Sequence, residues 1–417
     1  MGHLTFQNYT KLQQRLNQYV PGIFESETLR EILRALVSDE EARLCSLMPL
    51  APSSAGDVGR VWKKEEADAR EILETLAHKG MVYVFAIRGE KKYALAPPVL
   101  GFFEFSLMRS DGKFDGRLLA ELYHKYVNVE GGFLKQYGSV HPALTRTFVY
   151  EDMLGNVTSE VLSYERISAG IDSADCITTG TCYCRSKMEH LGKACDAPMD
   201  VCLTFNDAAR YLSEYGIARK ISKDEAHSIV RRCREEGLIQ IGENKKSSLV
   251  VICNCCGCCC DLLFGYKHFG LTGIVSPSNY IAVIDKGACE GCGVCHKRCP
   301  ANAIRLVKEE ASVDTAVCLG CGVCARFCTT GACRLESRPE KIYVPEDLLE
   351  KMTLGAIYQG KVGNFLFSDQ TNPIHQFLRE FLNFLVKLKP VQRTLLSPPV
   401  RSRLLTAIRS SSQFKDI

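Results

Sequence analysis

Two copies of one cysteine pattern, C-x2-C-x2-C-x3-C, dominate the chemistry available to this 417-residue chain. The first reads Cys289-Glu-Gly-Cys292-Gly-Val-Cys295-His-Lys-Arg-Cys299-Pro300 and the second Cys318-Leu-Gly-Cys321-Gly-Val-Cys324-Ala-Arg-Phe-Cys328. An iron–sulfur cube needs thiolates converging on it from several directions. Short x2 steps, with Gly291, Gly293, Gly320 and Gly322 relieving φ/ψ limits, let one tight loop wrap three corners. A zinc site usually pairs two C-x2-C units, without a third x2 step followed by x3, and eight cysteines in two copies of one pattern do not suggest disulfides.

The stretch from about Asn279 to Ser337 resembles two-cluster bacterial ferredoxins, in which the fourth cysteine of each run crosses to the other cluster. That resemblance implies Cys289, Cys292, Cys295 and Cys328 on one [4Fe-4S] cluster and Cys318, Cys321, Cys324 and Cys299 on the other. One departure is visible: Pro300 follows Cys299 but Thr329 follows Cys328, which touches a turn and not a ligand. Cys333 lies five residues after Cys328, as Ile304 lies five after Cys299, and reads as a core position.

A second group of cysteines has no such simple spacing. Cys176-Ile-Thr-Thr-Gly-Thr-Cys182-Tyr-Cys184-Arg185 leads to Cys195 and Cys202, and Cys253-Asn-Cys255-Cys256-Gly-Cys258-Cys259-Cys260 puts six cysteines among eight residues. Thiolates this close repel one another unless a metal neutralises them. Cys182, Cys184, Cys195 and Cys202 are candidates for one ligand set, completed by some of Cys253, Cys255, Cys256, Cys258, Cys259 and Cys260, or these hold a second centre. The expectation is one or two additional iron–sulfur clusters, with zinc as the competing metal. Cys233, on the apolar face of a helix capped by Ser222 and Glu225, reads as structural. The span Cys176 to Cys333 resembles multi-cluster iron–sulfur proteins of anaerobic bacteria, which implies electron transfer and names no substrate.

The elements that position these residues follow from hydrophobic period and turn chemistry. Leu29, Ile32, Leu33, Leu36 and Val37 mark one face of a first helix, and Ser38-x-x-Glu41 opens a second. Pro49 to Gly59 reads as a turn-rich break. Lys63 to Lys79 reads as a third helix, with Met81–Ile87 and Lys92–Ala96 as a hairpin after it. This order resembles a winged helix in general form. Its third helix would enter the major groove in a DNA-binding protein. Here that helix carries Glu65, Glu66, Asp68, Glu71 and Glu74, a poor fit to phosphate, so a docking module is expected. Aromatic-rich stretches around Phe102–Phe105 and Tyr123–Tyr126 read as core, and His124 and His141 as structural or exposed. Leu238–Ile241 and Leu249–Ile252 form a second hairpin. Near the C-terminus Ile374, Phe377, Leu378, Phe381, Leu382, Leu385 and Leu388 share a helix face. Lys387, Lys389, Arg393, Arg401, Arg403 and Arg409 follow. A helix packed back on the body is expected, the alternative being contact with a partner or an anionic membrane surface.

The expected class is therefore α+β multidomain. A winged-helix-like domain spans 1–100, a mixed helical connector 101–175, and a cysteine-rich α/β region 176–278. A two-cluster ferredoxin-like domain spans 279–337 and a C-terminal helical segment 338–417. A formal net charge of +4 offers no whole-chain attraction to nucleic acid. Of 22 cysteines only Cys45 precedes residue 176, and no secretory or membrane-spanning pattern appears, so a reducing cytoplasm is expected. No Rossmann fingerprint, P-loop or Ser/His/Asp order is present. The expected function is passage of single electrons between a low-potential donor and a partner oxidoreductase. The alternatives are a redox-sensing transcriptional regulator and a reductase with an open-site central cluster.

Overall fold

The computed structural model describes residues 2–109, 111–154, 164, 166–367 and 372–410. Parts of the connector (155–163 and 165) and of the C-terminal segment (368–371 and 411–417) lie outside them. The chain forms two compact units. One comprises Met1–His141, Glu214–Ile217 and Leu348–Ile417, the other Pro142–Ser213 and Ala218–Asp347. Sheets are small or antiparallel and helices numerous, so the class is α+β with more than one unit. Among the described residues no helix is long and apolar enough to cross a membrane.

In the first unit, Ser26 caps the helix Glu27–Leu36 by accepting from the Leu29 N–H, and Leu29, Ile32, Leu33 and Leu36 are buried as their spacing requires. The reciprocal capping box of Ser38 and Glu41 starts Asp39–Leu47. The expected break at Pro49–Gly59 is instead half helix. Ser54 and Asp57 form another capping box and open Ala55–Trp62, whose Val58 and Trp62 are buried. Two glycines and two prolines nearby concealed it, but Asp at the third helical position closes the box as Glu would. Lys63, left-handed at φ 56°, then separates it from the helix Glu66–His78, which starts three residues later than expected. Strands Val82–Ile87 and Glu90–Leu95 pair antiparallel, and Ser53 bridges Tyr93. Glu65, Glu66, Asp68 and Glu71 face solvent, as expected.

Phe102, Phe103, Tyr123, Tyr126 and Phe133 form a buried aromatic core. His124 meets Asn128 at 3.1 Å, and His141 packs edge-on to Tyr358. The C-terminal helix Pro373–Lys387 corrects the expectation of one packed apolar face. Arg379 and Val386 are buried, and Asn383 accepts from the Gly363 N–H and donates to Asn364. Ile374, Phe377, Phe381, Phe384 and Leu388 are exposed. The helix has more apolar circumference than its packed side can cover, and the polar clamp at Asn383 settles which side turns inward.

The second unit is built on a seven-stranded sheet. Its strands, in spatial order, are Arg219–Lys220, Ile177–Thr181, Asp200–Phe205, Val251–Cys255, Ile239–Glu243, Thr145–Phe148 and Val275–Ser276. All neighbours pair antiparallel except the last two. The central region is thus α+β, not α/β, because its helices do not return strands in parallel. Thr145–Phe148, from the expected connector, is a full member of this sheet. The expected hairpin is present, with Ile241 opposite Cys253. Phe148, Ile177, Leu203, Phe205 and Ile252 form the core with Ile229, Val230 and Cys233 of the helix Lys223–Glu235. Cys233 is therefore a packing residue, as its helical position indicated.

Residues 280–337 form a small pseudo-symmetric substructure. Tyr280–Ile284 pairs with Cys333–Ser337, and Ile304–Val307 with Glu310–Val313, both antiparallel. Short helices Val294–Arg298 and Val323–Arg326 follow the left-handed Gly293 and Gly322. Cys333 opens its strand, is buried, and lies opposite Ile284.

Candidate functional site

The two cysteine loops of residues 289–328 are shaped by glycine where a side chain has no room. At Gly320, φ is +65° and a Cβ would stand 2.0 Å from the Tyr280 carbonyl oxygen. At the equivalent Gly291, φ is +71° and a Cβ would stand 2.4 Å from the Glu309 carbonyl oxygen. Each loop thus lies directly on a neighbouring backbone, and only glycine permits both the approach and the left-handed turn.

Cys318, Cys321 and Cys324 share a cavity with Cys299, which comes from the other loop. Pro300, Ala301, Ala282 and Leu335 complete an apolar wall. This is the crossed grouping expected for one cluster. Burial raises the thiols of Cys299, Cys318 and Cys321 above their ordinary range, and contact with the Cys333 thiol adds to burial in raising Cys324. Four crowded thiols that resist ionisation in a dry pocket suit a bound cation that takes up their charge. Of the other expected set, Cys289, Cys295 and Cys328 pack half-buried on the same small core and Cys292 is exposed. Burial, with neighbouring Cys324, Cys289 and Cys292, raises Cys295.

Backbone donors also point at the last sulfur of each run. The Ala303 N–H donates to Cys299 Sγ at 3.2 Å and the Cys333 N–H to Cys328 Sγ at 3.3 Å. Burial alone would raise Cys328, but the Cys333 N–H, the Thr330 hydroxyl and the Thr330 and Ala332 N–H groups outweigh it and leave it below its ordinary value. Such bonds favour the charged sulfur and tune whatever it ligates.

The central cysteines separate into two groups, a division that spacing did not reveal. In the first, the sulfurs of Cys195, Cys256, Cys258 and Cys259 all lie within 4.8 Å of one another. In the second, the thiol of Cys184 meets Cys260, Cys260 meets Cys255, Cys255 meets Cys253, and Cys253 meets Cys202. Cys182 stands beside Cys253 and Cys260. Cys195 therefore leaves the set in which its sequence neighbours Cys184 and Cys202 fall. Cys182 caps the helix Tyr183–His190 and Cys260 caps Asp261–His268, so two helix N-termini face this second group. Their positive ends favour thiolate. The Leu262 and Leu263 N–H groups add to the contacts of Cys184 and Cys255 in holding Cys260 well below its ordinary value. Cys176 is buried, and the structure brings it into neither group.

The strand Val251–Cys255 supplies two members of the second group, and Cys256, just past its end, belongs to the first. Asn254 turns inward, donating to the Val201 carbonyl at 2.8 Å and accepting from Gln240 at 3.2 Å. Its neighbours Cys253 and Cys255 then project to the opposite side. Arg185, fully buried, is a functional candidate that sequence reasoning missed. It donates to the Asn254 carbonyl at 3.1 Å. Burial opposes its charge, but Cys182 and Cys255 of one group and Cys256 of the other outweigh that and hold it protonated. Nearby, the buried Lys187 pairs with Asp261. The only signal for either cation was an Arg and a Lys beside cysteines.

The central block and the ferredoxin-like loops touch. A Cβ on Gly257, between Cys256 and Cys258, would stand 3.3 Å from Pro300 Cα. Tyr266 donates to the Val317 carbonyl at 2.8 Å. Tyr150 spans the join, its N–H donating to the Cys321 carbonyl at 3.0 Å and its hydroxyl to the Leu238 carbonyl at 2.7 Å.

No curated protein and no solved structure matches the chain. Residues 281–329 match the family model of a 4Fe-4S dicluster domain. Together with the gathered thiols, that match supports an iron–sulfur protein with iron–sulfur cofactors and a general role in electron transfer.

Proposed function

We propose that this chain is a multi-centre electron carrier serving a partner oxidoreductase in a reducing cytoplasm. In this reading Cys318, Cys321, Cys324 and Cys299 hold one [4Fe-4S] cluster, and Cys289, Cys292, Cys295 and Cys328 a second. A further iron–sulfur centre belongs to Cys182, Cys184, Cys202, Cys253, Cys255 and Cys260. When bound, such clusters supply reversible one-electron chemistry. The protein holds the thiolates, aims the Ala303 and Cys333 N–H groups at sulfur, walls out water with Pro300, Ala301 and Leu335, and places Arg185 beside the central thiols.

The observation that carries the reading is the cavity shared by Cys299 with Cys318, Cys321 and Cys324, whose Pro300 wall is the surface on which Gly257 rests. Centres in the two regions would then lie in adjoining loops of one compact unit. The helices and hairpin of residues 27–95 serve in this reading as a winged-helix-like docking module. The exposed acidic row of Glu65, Glu66, Asp68 and Glu71 opposes a DNA-binding regulator.

Anaerobic purification with iron and acid-labile sulfide counts, followed by EPR of the reduced protein, tests the proposal. More than eight irons per chain are expected, nearly matched by sulfide, with interacting reduced-cluster signals. A colourless, zinc-filled, sulfide-free protein would refute it.

A further inference from the structure

The sulfur geometry of the first central group differs in kind from that of a cube. A metal ion in a tetrahedron of thiolates, with metal–sulfur bonds of about 2.3 Å, has sulfurs about 3.8 Å apart along each edge. In a [4Fe-4S] cluster every thiolate sits outside a separate iron corner, so an iron–iron edge separates any two of them and they stand wider. Here Cys258 Sγ and Cys259 Sγ are 3.7 Å apart, Cys259 Sγ and Cys195 Sγ are 3.7 Å apart, and all four sulfurs fall within 4.8 Å. Two of the six edges have the single-ion length and the others stay within 4.8 Å, so these four sulfurs converge mutually on one point, whereas the thiols of the second group meet only in a chain of pairs.

We infer that Cys195, Cys256, Cys258 and Cys259 bind one mononuclear divalent metal ion, zinc or ferrous iron, without inorganic sulfide. The ligand set is complete, four sulfurs for a four-coordinate ion, which is the pattern of a structural site. The surroundings agree. The Cys259 N–H donates to Cys256 Sγ at 3.4 Å, and the Arg185 guanidinium lies against Cys256, so the excess negative charge of four thiolates on a dication meets a donor and a cation. Cys195 lies in the irregular run between the helix Tyr183–His190 and the strand Asp200–Phe205. The ion would staple that run to the Cys256–Cys259 loop, the same loop that rests on Pro300. Cys258, the exposed ligand, is the route of entry. The site does not depend on the electron-carrier reading, since a structural ion is compatible with any function of the neighbouring clusters.

The test uses the full chain purified anaerobically, with iron, zinc and acid-labile sulfide measured together. Cubane clusters contain iron and sulfide in equal number, so total metal should exceed sulfide by one equivalent per chain. Zinc or iron as the surplus element identifies the ion. Cys195→Ser and Cys258→Ser should each abolish the surplus while sulfide and the cluster EPR signals stay unchanged, the latter also reporting that the chain still folds. Equal metal and sulfide in the unaltered protein would overturn the proposal. So would loss of about four irons with four sulfides in Cys258→Ser. Should both variants fail to fold, spectroscopy of the unaltered protein decides: for a zinc surplus, X-ray absorption at the zinc edge should show a single shell of four sulfurs, and a metal–metal shell there refutes the site; for an iron surplus, Mössbauer spectra should show one high-spin ferrous thiolate iron per chain apart from the cluster irons, and its absence refutes the site.

Discussion

The ferredoxin-like loops and the central cysteine block use the same side chain in opposite ways. In the loops, ligands follow one another at fixed short steps, glycine supplies the curvature, and Cys299 crosses to a cavity shared with Cys318, Cys321 and Cys324. The ligand spacing is local, although each loop rests on backbone from elsewhere in the same substructure, Gly291 on Glu309 and Gly320 on Tyr280. In the central block, Cys182 and Cys260 cap helices, Cys202 and Cys253 come from neighbouring strands, and Cys195 from an irregular run. There the sheet does the gathering. A loop motif can assemble its site wherever it folds. A sheet-assembled site exists only once the strands Asp200–Phe205, Val251–Cys255 and Ile239–Glu243 are in register.

That contrast predicts unequal responses to substitution. The largest effect is expected for Cys324→Ala, which removes a ligand from the shared cavity. About four irons and four sulfides should be lost per chain, while the metal surplus assigned to the central block persists. Loss of both together would show that the regions do not assemble separately. Gly320→Ala should be next. The left-handed backbone alone costs about 1–2 kcal/mol, and the clash with the Tyr280 carbonyl adds to it. Gly331→Ala, at φ +71° with nothing within 4 Å of its Cβ, should show the backbone cost without the clash. Anaerobic denaturant unfolding of both variants measures the difference.

A smaller effect, confined to the central block, is expected for Arg185→Gln. Removing a buried cation favours the oxidised, less negative form of an adjacent cluster, so the central potential should fall. The fall should be on the order of tens of millivolts, where 59 mV corresponds to a tenfold change for one electron. Redox titration followed by EPR should find the ferredoxin-like centres unmoved, and an equal shift in every centre would end the assignment of Arg185 to one region. The smallest effect belongs to Cys333→Val. Its side chain packs in the small core and its backbone N–H, retained by valine, serves Cys328. Iron and sulfide should be unchanged, with stability within about 1.5 kcal/mol of the parent.

Legibility in the sequence followed the same divide. The cysteine runs, the capped helices Glu27–Leu36 and Asp39–Leu47, and the core position of Cys233 were readable because spacing, capping and period act within a few residues. The helix Ala55–Trp62 was hidden by Pro and Gly, although its Ser54–Asp57 box is a local signal. The strand Thr145–Phe148 was missed because a four-residue segment declares itself only through its neighbours. The outward row from Ile374 to Leu388 was misread as packed, since a wide apolar face does not state which part a partner surface will cover.

By itself the sequence determined the ligand types, the repeated spacing that suits cubes, and most helix starts, all of which depend on chain geometry over a turn or two. Only the tertiary structure decided that Cys195 joins Cys256, Cys258 and Cys259 while Cys182, Cys184 and Cys202 join Cys253, Cys255 and Cys260. It also decided that Arg185 sits beside both groups. The reason is physical. Successive residues of an extended strand point to opposite sides, so which thiols meet depends on the strands and helices brought alongside, and pairings between distant segments leave no spacing to read.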